Sequence, residues 1–119
     1  MEDKNVTILR IYLEYGMSIK NASFWKKLWN SSLRELLLKS AKESNMEQAN
    51  IFIAKTGYLN YGNISHNHSE IPSVKNPVCL ELIDEEPKIY QFLEFNKEHL
   101  KQVKVVLINA GSEILFPHK

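Results

Sequence analysis

PVCLELIDEEPKIYQFL, residues 77–93, holds the strand and the helix start from which the rest of the chain is placed. Over 77–84 the side chains alternate, with Cys79, Glu81 and Ile83 sharing one face and Val78, Leu80 and Leu82 the other. Pro77 stands at the first position of this strand, where a missing N–H is tolerated. Asp84 is then placed to cap a helix over 85–99, with Glu85 and Glu86 in the acidic first turn and Pro87 close behind. Ile89, Phe92 and Leu93, with Asn96 and Leu100, form its buried stripe.

Working outward, 103–109 (VKVVLIN) reads as a strand, Ala110 and Gly111 as a turn, and EILF at 113–116 as a short terminal strand. Upstream, 60–76 is polar and rich in Asn, Ser and His, a loop longer than a connector needs. Residues 49–59 (ANIFIAKTGYL) are a strand. Residues 23–44 carry Trp25, Leu28, Trp29, Leu33, Leu36, Leu37 and Ala41 at helical spacing. Ser32 and Glu35 fit a capping box, which would start the helix proper there, and Asn45 is its stop. In 6–15 (VTILRIYLEY) Leu9, Ile11 and Leu13 face one way and Ile8, Arg10 and Tyr12 the other.

The order β-α-β-loop-β-α-β predicts a ferredoxin-like βαββαβ sandwich of the α+β class, an antiparallel sheet with two helices on one face, as one domain over 1–119. Helices on one face leave the other bare. That second face still carries Ile8, Tyr12, Cys79, Ile83 and either the Val103 or the Val106 set, which predicts an oligomer.

Of the 119 residues 44% are apolar and 24% charged, ordinary globular values. Fifteen basic against fourteen acidic residues leave a net charge of +1, which argues against a protein built to coat nucleic acid. One cysteine precludes an intrachain disulfide, and no apolar run approaches the ~18 residues of a membrane span. A cytoplasmic protein is the expectation.

His66 and His68, two residues apart, could share a metal ion in an extended loop; two solvated histidines are the simpler account. Lys55, Gly57, Tyr58, Tyr61, Gly62 and His66 gather around the mouth of the long loop. Glycine lets a ligand near the backbone, tyrosine offers a flat face to a base, and a protonated histidine can meet a phosphate. No Walker or dinucleotide spacing is present. Arg10 and Glu81 are lone charges in the middle of apolar strands that a ferredoxin-like sheet makes neighbours, so they are expected to form a structural pair. Cys79 is expected to act as a small hydrophobe, and Trp25 to Trp29 as a packing or subunit contact. The sequence shows no nucleophile–base pair and no carboxylates spaced for joint work, so an enzyme is not expected.

ILRIYL near the start, ANIFIAKTGY in the second strand and NPVCLELIDEEPKI in the third resemble the DUF190 family, part of the PII-like superfamily of trimeric ferredoxin-like signalling proteins. The likeness runs from about Ile8 to Phe116 and is strongest over 77–88. It departs at Ile53-Ala54, where the family usually has Arg-Gly, at Gly57-Tyr58-Leu59, where it usually has Gly-aromatic-Gly, and in the added NASFWKKLWNSS. The resemblance implies a homotrimeric regulator with a small-molecule effector, a nucleotide being the first candidate, in clefts between subunits. It also implies a target protein, such as a membrane transporter or channel, reached through a mobile loop 60–76. The alternative it implies is a metal-binding trimer similar to the copper-tolerance relatives of the fold, using His66 and His68.

Overall fold

The computed structural model describes residues 4–19, 32–67, 71–109, 111 and 113–116. Two long strands form its centre, β2 (Thr7–Glu14) and β6 (Pro77–Asp84), antiparallel, with Ile8 opposite Ile83, Arg10 opposite Glu81 and Tyr12 opposite Cys79. Strand β3 (Gln48–Ile53) flanks β6 and strand β7 (Lys104–Ile108) flanks β2, giving the sheet order β3-β6-β2-β7 with every pair antiparallel. A further strand β1 (Lys4–Asn5) pairs with β8 (Glu113–Ile114). The helices are α1 (Leu33–Glu43), α2 (Glu86–Phe95) and a single turn, α3 (Lys97–Leu100). This is the ferredoxin-like arrangement expected from the element order.

Period-two alternation decides which face is covered. Leu9, Ile11 and Leu13 of β2 and Val78, Leu80 and Leu82 of β6 are buried against Leu33, Leu37 and Ala41 of α1 and Ile89 and Phe92 of α2. The opposite face has no helix of its own among the described residues. Its rows run Gln48–Ile83–Ile8–Ile108, Asn50–Glu81–Arg10–Val106 and Phe52–Cys79–Tyr12–Lys104 across the four strands. It is therefore the Val106 set that lies on this face.

The helix ends follow local chemistry. Ser32 accepts a hydrogen bond from the Glu35 amide at 3.3 Å, so the expected N-cap starts α1, and Asn45 ends it with a left-handed φ of 61°. Residues 23–30 lie outside the described residues. The expected helix over 85–99 stops at Phe95 instead. Asn96 is buried and its carboxamide donates to the Ser40 hydroxyl at 3.0 Å and back to the Phe92 carbonyl at 3.1 Å, which interrupts the helix and restarts it as α3. Asp84 lies one residue before the N-cap position, which Glu85 occupies without a side-chain cap bond.

Among the described residues no helix is long and apolar enough to cross a membrane.

Candidate functional site

The strand expected over 49–59 breaks in two. It leaves the sheet after Ile53, and the chain turns at Ala54 and Lys55 into β4 (Thr56–Gly57), which pairs with β5 (Ser65–His66). Five of the six expected ligand residues, Gly57, Tyr58, Tyr61, Gly62 and His66, thus fall on one hairpin, with Lys55 directly before it. Gly57 stands opposite Ser65, His66 opposite Thr56, and the Lys55 carbonyl accepts from the Asn67 amide at 2.7 Å. Tyr58 follows β4 directly and is more than half exposed.

The tip is a tight turn. The Gly62 amide donates to the Leu59 carbonyl at 2.9 Å, and both central residues have left-handed backbones, Asn60 at φ 51° and Tyr61 at φ 62°. This is the pattern of a type I′ turn, in which the second central position favours glycine. Here it presents a wholly exposed tyrosine. Tyr61 and Gly62 therefore lie at the tip, away from the paired residues Gly57 and His66.

The hairpin rests on a rim where three strand ends meet. The Ala54 amide donates to the Pro77 carbonyl at 2.9 Å, and the Tyr15 amide to the Asn76 carbonyl at 2.9 Å. Gly57 lies over Pro77: a Cβ there would sit 3.4 Å from the Pro77 Cγ. The returning arm presses on the turn after β2, where the Gly16 amide donates to the Val74 carbonyl at 2.8 Å. A Cβ on Gly16 would stand 2.6 Å from the Val74 Cβ, so only glycine fits. The Arg34 guanidinium of α1 stacks on the Tyr15 ring at 3.7 Å and donates to the Tyr15 carbonyl, extending the rim to the helix layer. The stretch 60–76 is thus tied at several points, rather than hanging from its two ends. It is also less polar on its surface than expected, since Tyr61, Ile64, Ile71 and Val74 are all exposed.

Asn76, expected only as the last residue of the polar loop, is fully buried at the centre of this rim. Its one visible signal is an amide residue directly before the proline that opens an apolar strand. His68 lies outside the described residues, and among those described no group of three His, Cys, Asp or Glu side chains could hold a metal ion.

On the helix-free face Arg10 donates from Nε to Glu81 Oε2 at 3.0 Å, with the side chains 40% and 17% exposed. The bond to Glu81 is the main cause that raises the Arg10 pKa. Beside them, burial pushes the Cys79 thiol up, which disfavours the thiolate a nucleophile needs.

The family DUF190, described as an uncharacterized ACR, matches residues 6–110. A UPF0166 protein from Aquifex aeolicus (strain VF5) is 36% identical over 88 residues, 73% of this chain and 74% of that protein. Among solved structures, a PII-like signaling protein from Thermus thermophilus superposes with a TM-score of 0.53 at 17% identity, covering 91% of this chain and 87% of that one. CPII from Thiomonas intermedia K12, solved with ADP and bicarbonate, superposes with a TM-score of 0.54 at 15% identity over 92% of both chains. At such identities the structural likeness speaks for the fold, while the profile match and the Aquifex relative speak for descent. The chain belongs to the DUF190 family.

Proposed function

We propose that the chain, as one PII-like domain over residues 1–119, is a non-enzymatic cytoplasmic regulator. In this reading it forms a homotrimer through the helix-free sheet faces. It binds a small-molecule effector, a nucleotide such as ADP, in clefts between subunits. It acts on a target protein, a membrane transporter or channel being the first candidate, through the loop 60–76. The observation that carries the reading is the hairpin on the rim. It pairs Gly57 with Ser65 and Thr56 with His66 and bonds the Lys55 carbonyl to the Asn67 amide, so Lys55, Gly57 and His66, residue types suited to a phosphate, lie within one short ladder. The fold shared with the ADP-bound CPII of Thiomonas supports it.

Calorimetric titration with ADP, beside a thermal-shift series with ADP, Cu²⁺ and Zn²⁺, tests the proposal. A ligand at a hundred times its Kd stabilises the native state by about 2.7 kcal/mol, which is about ten degrees of Tm. A shift with ADP and none with the metals is the expected result. A shift with metal alone transfers the assignment to a metal site at His66 and His68, and no binding of ADP at millimolar concentration ends the nucleotide reading.

A further inference from the structure

A carboxamide is costly to bury unless its polar atoms are matched, so a fully buried asparagine shows by its partners what it is there to hold. The described residues contain two. Asn96 bonds to Ser40 and Phe92, and its bonds join one helix to another. Asn76 is different. Its Nδ2 donates to the Ala54 carbonyl at 2.8 Å, on the arm that leaves the sheet, and its Oδ1 accepts from the Ser65 hydroxyl at 2.7 Å, on the second strand of the hairpin. Its amide donates to the Ser73 carbonyl at 3.0 Å, and its carbonyl accepts from Tyr15 at the end of β2. Every one of these bonds ends on the loop or on the rim beneath it.

The hairpin needs such a tie. Its ladder holds two residue pairs, Thr56 with His66 and Gly57 with Ser65, extended by the Asn67–Lys55 bond. A ladder of that length does not hold itself in water. Contact with Pro77 is apolar and permits sliding; the Ser65–Asn76 bond is directional and fixes the register of the hairpin against the start of β6. Asn76 is followed at once by Pro77 in β6, so the tie is mounted on a central strand of the sheet.

We propose that Asn76 is the positioning residue of the loop: its buried carboxamide locks the hairpin of residues 56–66 to the rim, and through it sets the place of the effector groups on Lys55, Gly57 and His66. The lock rests on the hydrogen bonds alone; its consequence for the effector rests on the functional reading above.

Hydrogen–deuterium exchange of the full chain separates the two. Ser65→Ala removes the hairpin's half of the tie and leaves Asn76 bonded to Ala54, so the fold is kept. Exchange of amides in 56–67 is expected to rise about tenfold, the worth of one hydrogen bond, while amides of β2 and β6 stay protected. Ser65→Thr, which keeps the hydroxyl, is expected to restore protection. ADP affinity is expected to fall about tenfold in Ser65→Ala and to return in Ser65→Thr. Unchanged exchange in 56–67, or a loss spread evenly over the sheet, overturns the lock. Faster hairpin exchange with undiminished ADP affinity overturns the positioning role. If the unaltered protein binds no ADP, the functional reading fails, and the exchange data alone still decide the lock.

Discussion

Asp84 shows how one side chain can clasp three segments. Its carboxylate accepts from the Glu47 amide at 2.8 Å and the Glu85 amide at 2.6 Å, and Lys88 Nζ stands 3.3 Å away. Burial by itself raises its pKa, but the two amides and Lys88 outweigh that and hold the carboxyl below its ordinary value. The folded pKa being depressed, the clasp contributes in full above the unfolded value near ~3.9 and is lost as the pH falls through the lower folded value. Urea midpoints are therefore expected to stay level near neutrality and to fall in acid. In Asp84→Asn the unfolding free energy from the same titrations should start about 1–3 kcal/mol lower at pH 7 and depend less on acid. Equal acid slopes in the two proteins would remove Asp84 from this account. Gly16 carries a steric prediction. A methyl at this position meets Val74 at 2.6 Å, so Gly16→Ala must displace the arm at Val74, whose carbonyl accepts from the Gly16 amide. A loss of roughly 1–3 kcal/mol is expected in the unfolding free energy from urea titration, with an unaltered midpoint showing that the arm yields freely.

At the scale of elements, what the sequence makes legible is what periodicity can carry. Strand β6 matches its expected limits because each alternate side chain is fully apolar and the ends are marked by Pro77 and Asp84. The start of α1 is legible through the Ser32 and Glu35 pair. The β4–β5 hairpin was not, since two-residue strands such as Thr56–Gly57 and Ser65–His66 are too short to show a period. The break at Asn96 escaped for a different reason: the residue sits on the buried stripe at helical spacing, and only its bond to Ser40, 56 positions away in sequence, turns it into an interruption. The candidate site was legible as a group of residue types around one loop, while Asn76 was hidden because its role comes from distant partners. The loop tip gives the prediction at this scale. Tyr61 holds a φ of 62° that glycine adopts freely, and Tyr61→Gly would create the Asn-Gly pair that a type I′ turn prefers. Thermal denaturation is expected to show a gain of about 0.5–1 kcal/mol. A destabilised variant would mean that the ring packs on the loop.

For the whole molecule, the helix-free face is the feature that asks for a second copy. It carries Ile8, Ile83, Ile108, Val106 and Phe52 around the Arg10–Glu81 pair. Light scattering is expected to give three times the chain mass at micromolar concentration. Arg10→Ala removes the cation that faces Glu81 across the central strands, whereas Lys104 lies exposed on the edge strand. On dilution, Arg10→Ala should therefore dissociate at higher protein concentration than Lys104→Ala, and coincident dissociation curves would place the pair outside any interface.

The sheet order also bears on how the protein is made. Strand β2 is the first long strand in the chain, yet its two neighbours are β6 and β7, and Arg10 meets Glu81 across a separation of 71 residues. A ribosome adding roughly 5–20 residues per second needs about 4–14 s to cover that distance. Throughout that interval a strand with large apolar side chains on both faces waits with both hydrogen-bonding edges open, a template for association with other nascent chains. Early occupancy by a holding chaperone, and a yield in synthesis that falls with temperature more steeply than the stability of the finished protein, are the consequences to look for.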